Sequence, residues 1–598
     1  MINVDDVLHK YAPTLPQRTW LYRPVSSVLK NLLHEDDFQQ FARTYPDVTG
    51  FEFVEQVLRY FDFHATVRDN ALENIPVTGR VVIIANHPIG SLDGLTLLRL
   101  VGQLRKDVKI IANNMLMQLA PLEPLLLPVN NMGGKTPKEN LNQIHQWLEQ
   151  EGAVIIFPAG EVSRLRPNGV RDTRWHSGFL RIASRAQAPV VPIYIKGRNS
   201  ALFYGTSMVY KPLATLLLVK EMFNQTHKGI QINIGAPIPY RSYHTLCHLP
   251  TPTRIKLFRK HLYQLGSNKA GVLPTEIPIA HPENRVTLRK EIQECDLLGT
   301  SSDDKKIYLY RYCENSAIMR EIGRLREVAF RAVGEGSGQR YDIDGYDRHY
   351  VHIVLWDDQD LEIVGAYRLC DTATTLREKG LDGIYTHSLF QYDEGMTPIL
   401  QQGLELGRSF VQPRYWGLRS LDYLWLGIGA FLARNPHFRY LFGPVSISNG
   451  LPPEAKNLLV YFYQTYFAAH QSIARSRRPY QLTNELQKEL QQQFCGTDYL
   501  KDLTTLKSLM HHFGVQIPTL YKQYSELCEP GGVQFLDFGT DPDFADCIDG
   551  LVLVDTSKLK EKKRARYITP HLSTSYQEAP QGDAKTQNTS LTTQPVQS

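Results

Sequence analysis

No stretch of this chain approaches the run of about 18 apolar residues that a membrane-crossing helix needs. The N-terminus, MINVDDVLHKYAP, has neither the basic start nor the apolar core of a signal peptide, so secretion is not expected. Cysteine is scarce as well: seven in 598 residues, at 247, 295, 313, 370, 495, 528 and 547, with no C-x-x-C pair. That excludes a disulfide scaffold and reads as reduced, mostly buried thiols. Neither charge sign dominates, because 66 Lys and Arg face 61 Asp and Glu for a net +5. No nucleic acid partner is expected, and a charged partner must be met by a local patch. We expect no metal and no cofactor.

What is present begins with length: 598 residues exceed one ordinary core, so two domains are expected. Residues 1–75 read as a helical lead-in region, with Phe51, Val54, Leu58 and Phe61 on one face. Five short apolar strands then alternate with helical segments: Val81–Ala85, Val108–Ala112, Ala153–Phe157, Val190–Ile195 and Ile230–Ile234. This predicts an α/β domain over 76–270. The proline-rich text of 271–304 reads as a linker. A second, mixed α/β domain over 305–555 opens with a helix, Ile318–Phe330, and a β-hairpin turning at Asp357–Asp360. A helix is expected from about Glu454 to Ala474. A basic segment and tail, 556–598, closes the chain, and its composition from Thr569 onward predicts disorder. Two apolar pieces, Pro121–Val129 and Pro212–Phe223, read either as core or as segments pressed into one leaflet of a membrane.

Chemistry concentrates first in NHPIGSLDG, Asn86–Gly94, where a buried strand should end. His87 can remove a proton near neutral pH, and Asp93 can orient its ring. Downstream, FPAGEVSR offers a glycine turn with Glu161, Ser163 and Arg164, able to present backbone N–H groups and charge to a polar headgroup. A third strand carries VVPIYI. The three boxes, in this order, resemble the lysophospholipid acyltransferases (1-acylglycerol-3-phosphate acyltransferases), whose members show a His/Asp box, an FPEGTRS-like box and a VVP strand. The resemblance implies that His87 is the base activating an acceptor hydroxyl toward an acyl thioester and that Asp93 is its partner. It places Gly160, Glu161, Ser163, Arg164 and Pro192 at substrate-binding positions.

Three departures stand out. Five residues, Pro88–Leu92, separate His87 from Asp93 where the family has four. The family's glutamate is Ala159, with a glutamate at Glu161, and the arginine associated with phosphate is Val162. Loss of a forked phosphate ligand favours an acceptor without a phosphate monoester. The segment NNMGGKT, Asn130–Thr136, lacks the upstream glycine of a nucleotide-binding loop.

In the second half, Asp342, Asp344, Tyr346 and Asp347 form D-I-D-G-Y-D, Arg368 follows on the second hairpin strand, and Glu405 and Arg408 lie in ELGRSFV. The set resembles the acyl-homoserine lactone synthases and ornithine N-acyltransferases, a GNAT-like branch that uses acyl carrier protein as donor. CIDGLVLVD, Cys547–Asp555, looks like the closing strand of the ornithine branch. An amine must be neutral to attack a thioester, so a base is needed, and Glu405 is the candidate. The acidic residues would suit ornithine's positive groups; Arg368 or Arg408 would hold its carboxylate or a structural one. The coenzyme A pyrophosphate loop is only half met by Arg414 and Gly417, with Arg419 in the final position. Two basic clusters, Arg475 with Arg477 and Arg478, and Lys558 through Arg566, read as a carrier-protein dock, an anionic-lipid contact or a solvated face.

Together the resemblances imply a bifunctional enzyme at the cytoplasmic face of a bacterial inner membrane, peripherally bound to the lipid surface. It would join a 3-hydroxyacyl group to ornithine and then acylate the 3-hydroxyl. The alternatives are a lysophospholipid acyltransferase whose GNAT-like half is inert, and a non-enzymatic, haemolysin-like membrane protein.

Overall fold

The computed structural model describes residues 19–572 apart from 69, 114–115, 130–136 and 210. The NNMGGKT segment, the first eighteen residues and the tail beyond Leu572 lie outside the described residues. The chain divides into two compact units between His281 and Pro282.

The first unit is built on nine strands: β1 (His64–Val67), β2 (Val81–Ala85), β3 (Val108–Asn113), β4 (Leu126–Val129), β5 (Ala153–Ile156), β6 (Arg164–Arg166), β7 (Gly169–Arg171), β8 (Val190–Lys196) and β9 (Gly229–Ile234). Seven of them form one sheet, ordered β1-β9-β8-β2-β5-β3-β4, while β6 and β7 make a separate hairpin. Every pairing in the large sheet is parallel except β8 with β9. Parallel strands covered on both faces read as unbroken apolar runs, and VVIIA of β2 is buried at every position. The lead-in is not separate from this core: on the helix Gly50–Tyr60, Val54 and Leu58 are buried in the same cluster as the strands, joined by Phe61 beyond its end. Pro121–Val129 resolves as core, because Leu122, Leu125, Leu126, Leu127 and Val129 are all buried there.

The second unit carries β10 (Asp296–Thr300), β11 (Lys306–Arg311), β12 (Val351–Asp357), β13 (Glu362–Asp371), β14 (Phe390–Tyr392), β15 (Gly403–Val411), β16 (Tyr440–Ile447), β17 (Ala474–Ser476), β18 (Val533–Asp541) and β19 (Cys547–Asp555). Eight strands form a mixed sheet, β10-β11-β12-β13-β15-β16-β19-β18, and β14 pairs with β17 alone. The one parallel pairing, β15 with β16, stops at Glu405 against Phe442.

Several boundaries differ from the sequence expectation. Residues read as linker instead form a helix, Arg285–Gln293, capped by the Asn284 side chain on the N–H groups of Val286 and Thr287, and the edge strand β10. The helix expected to reach Ala474 ends at Phe467, and Ala474 opens β17. The basic segment is partly ordered: the helix Glu561–Tyr567 buries Tyr567, and a further turn, Thr569–Leu572, continues where disorder was expected.

Candidate functional sites, one in each unit

Asn86 ends β2 by completing its neighbour's ladder: its side-chain amide donates to Ile195 O at 2.8 Å and accepts from Ile195 N at 2.7 Å. The chain then turns through His87 and Gly90, which takes φ +126°, into the helix Ser91–Leu104. This puts Asp93 in the helix's first turn, where its Oδ2 accepts from Ile89 N at 2.8 Å and Gly90 N at 3.1 Å. The same oxygen lies 3.1 Å from His87 Nδ1, so the five-residue spacer brings the pair together. With Nδ1–H given to the fully buried carboxylate, Nε2 is the proton acceptor. The Phe157 ring stacks on the imidazole at 4.0 Å and covers one face.

The second box supports this loop rather than merely facing it. Ser163 N donates to His87 O at 2.7 Å, and Ser163 Oγ donates to Asp172 Oδ1 at 2.6 Å. Asp172 also accepts from His87 N at 3.2 Å and Trp175 Nε1 at 2.8 Å. Burial raises the Asp172 carboxyl, against these hydrogen bonds and the His87 ring, which lower it. Neither Asp172 nor Trp175 carried a sequence signal. Gly160 turns at φ +66°, and Glu161 lies 3.6 Å from Arg164, whose Nε and Nη1 have no hydrogen-bond partner among the described residues. Pro192 sits inside the sheet, opposite Ile84. Val162 joins Phe203, Tyr204 and Leu217 in an apolar cluster, in the place where the resembling family has an arginine.

In the second unit the sequence-predicted residues converge, except for Glu405, which has its own partners. Arg368, on β13, gives Nη1 to Asp344 Oδ1 at 2.7 Å and Asp347 Oδ1 at 3.2 Å. Arg408, on β15 with φ +47°, lies 3.5 Å from Asp342 and 3.7 Å from Asp344. Two members were missed: Arg326 Nη1 reaches Asp347 Oδ1 at 3.0 Å, and His352 Nε2 lies 3.1 Å from that oxygen. The signal for Arg326 was a charge beside the apolar face Ile318, Ile322, Leu325 and Ala329. Burial would raise Asp347, but the Arg326 and Arg368 guanidiniums overcome it and hold the carboxyl well below the usual range. Burial lowers His352 to about 4 and keeps it neutral.

Glu405 is 1% exposed and has both oxygens occupied. Tyr350 Oη donates to one; Thr386 donates to the other from N at 2.7 Å and Oγ1 at 2.6 Å. Burial raises this carboxyl, against the Thr386 and Tyr350 hydrogen bonds and the Arg368 charge, which lower it. Tyr350 in turn accepts from Tyr385 N at 2.8 Å. Any exchange with an amine therefore passes through Tyr350 or requires the Tyr385–Thr386 segment to move.

Residues 6–271 match the family described as acyltransferase, and residues 325–426 match the acetyltransferase (GNAT) domain. The chain is 33% identical over 250 residues to a lyso-glycine lipid O-acyltransferase of Bacteroides thetaiotaomicron, covering 41% of this chain and 90% of that protein. It is 31% identical over 305 residues to a glycine N(alpha)-acyltransferase of the same organism, covering 48% of this chain and 89% of that protein. An L-ornithine N(alpha)-acyltransferase of Agrobacterium fabrum is 29% identical over 146 residues, 23% of this chain and 47% of that protein. The His87–Asp93 pair thus sits in an acyltransferase domain and the Asp347 network in a GNAT domain, and the chain belongs to the acyltransferases, as a two-domain enzyme of acyl transfer in lipid synthesis.

Proposed function

We propose that this chain makes an N,O-diacylated amino-acid lipid in two steps, with ornithine as the first acceptor. The observation that carries the reading is the presence, in one chain, of similarity to both an O-acyltransferase of a lyso-lipid and an amino-acid N(alpha)-acyltransferase. The second domain forms the amide: the neutral amine attacks a 3-hydroxyacyl thioester, the C–N bond forms as the C–S bond breaks, and the amine's proton leaves through Tyr350 toward Glu405 and is returned to the departing thiolate. In the first domain, His87 Nε2 takes the proton of the new 3-hydroxyl as its oxygen attacks a second thioester. The C–O bond forms, the C–S bond breaks, and the proton passes to the thiolate.

Several features support the details. The apolar Val162 cluster suits an acceptor without a phosphate monoester. Arg414 pairs with Asp360 and Glu362, and Arg419 with Asp422, which leaves little of a pyrophosphate loop and favours acyl carrier protein as donor. Exposed Val28, Leu202 and Met208 in the first unit suit peripheral attachment to a lipid surface on the cytoplasmic side of a bacterial membrane. No helix among the described residues is long and apolar enough to cross a membrane. For ornithine speaks the acidic group around β19: burial, with Asp541 beside it, pushes Asp549 up to about 7, and burial beside Asp549 pushes Glu335 up to about 7. The Arg408 guanidinium and the Ser446 hydroxyl already act on Asp549 in the opposite sense, and a second cation would add to them.

A second reading, glycine as the acceptor, is favoured by the fuller coverage of the glycine enzymes, 89% against 47%. Expression in a host without aminolipids tests both. A phosphate-free, ninhydrin-positive lipid that releases ornithine on hydrolysis supports the first, and release of glycine supports the second. Complementation of phosphatidic acid synthesis without such a lipid rejects both.

A further inference from the structure

The buried charge network of the second unit is balanced in charge. Asp342, Asp344 and Asp347 supply three carboxylates, and Arg326, Arg368 and Arg408 three guanidiniums, each paired within the set. The three charges of each sign cancel, and the donors that lack a hydrogen-bond partner among the described residues, Nε and Nη2 of Arg326 and Arg368 and Nε of Arg408, are buried away from solvent. An amino acid nevertheless brings a carboxylate that needs a partner once water is displaced.

Such a partner stands just outside. Tyr346 lies over Arg368 at 5.9 Å and edge-on to Tyr385 at 5.5 Å. It also lines an open cleft of about 430 Å3 with Asp382, His387, Ser388 and Arg477. Arg477 Nε donates to His387 O at 3.0 Å, and its Nη2 lies 3.3 Å from His387 Nε2. Those contacts fix the guanidinium but use only part of its five donors. Asp382, 3.6 Å from His387 Nδ1, gives the cleft an opposite charge. The cleft therefore presents both signs, as a zwitterion requires.

Its wall is continuous with the catalytic carboxyl. His387 and Ser388 belong to the short helix Tyr385–Leu389, whose first two N–H groups donate to Tyr350 and Glu405. We propose that this cleft binds the acceptor amino acid and that Arg477, rather than Arg368 or Arg408, receives its α-carboxylate. The inference rests on the N-acylation reading above and adds the location and the ligand group.

The test measures binding of ornithine and of ornithinamide, which lacks the carboxylate, to the full chain by calorimetry. N-acylation kinetics with a 3-hydroxyacyl-acyl carrier protein donor run alongside. Arg477→Ala is expected to weaken ornithine binding by about 10- to 100-fold, the range for a charge-assisted hydrogen bond, and to raise its KM with kcat retained. Ornithinamide binding should not change, and Arg477→Lys should recover part of the loss. Unchanged ornithine binding in Arg477→Ala, or an equal loss for ornithinamide, overturns the inference. If the unaltered chain acylates ornithine while Arg477→Ala keeps its KM, only this inference falls. If the unaltered chain neither binds nor acylates ornithine or glycine, the N-acylation reading falls with it.

Discussion

The backbone N–H of His87 donates to the buried carboxyl of Asp172 at 3.2 Å, across 85 residues of sequence. The same carboxyl gathers Ser163 and Trp175, so the His/Asp loop and the second box share one anchor. Removing that anchor should loosen the base without touching it. Asp172→Ala leaves three donors without an acceptor and is expected to cost about 2 kcal/mol or more in stability. O-acylation should fall further than the unfolded fraction accounts for, and Asp172→Asn should be milder. Denaturant unfolding and the O-acylation rate check this; an Ala variant equal to wild type in both rejects the anchoring role.

His87→Ala should leave N-acylation intact and let the lyso-lipid accumulate. The O-acylation rate should drop by about 100- to 10,000-fold, the usual contribution of a positioned base. Lipid extracts decide it, since full diacyl product from this variant excludes His87.

Glu405→Ala is expected to abolish both lipid products. Supplying the lyso-lipid should restore the diacyl form, because the first domain is untouched. If both products persist without that supplement, Glu405 has no part in the N-acylation step.

Burial, with Asp541 beside it, raises Asp549 from the usual 3.8 to about 7. The folded state therefore binds this proton more tightly than the unfolded chain does. Its contribution is fully present below pH 3.8 and is lost as pH rises through about 7. Asp549→Asn should flatten the stability profile between these limits and leave the protein more stable than wild type at pH 8. Urea midpoints across that range measure it; an unchanged slope removes Asp549 from the account.

Val162→Arg restores the arginine of the resembling family but places it among Phe203, Tyr204 and Leu217. A buried, unpaired charge is expensive, so the expected result is a loss of several kcal/mol from the first unit and no gain of phosphate-bearing acceptors. Thermal unfolding and an assay with a lysophosphatidic acid acceptor check both halves.

The parts legible in the sequence were those with one-dimensional signatures. The buried strands β2, β3, β5 and β8 announced themselves as apolar runs bounded by turn residues, and β9, GIQINI, as an apolar–polar alternation. The edge strands did not: HATV of β1 and DLLGT of β10 are short and largely exposed, so they lack that pattern. His87, Asp93 and the Asp342–Asp347 box were visible because their spacing is local. Asp172, Thr386 and Tyr350 were not, since each acquires its role from a partner brought in by the fold. Arg368 and Arg408 were located as site residues, and the fold pairs each of them with neighbouring carboxylates.

Asn86 ties the last point to folding. Its side chain supplies both halves of a backbone-like exchange with Ile195, one residue before His87. The alignment of β8 beside β2 and the placement of the imidazole are consequently a single degree of freedom. A chain that mispairs these strands by one residue also displaces its base, so that a competent first active site doubles as a readout of correct sheet assembly.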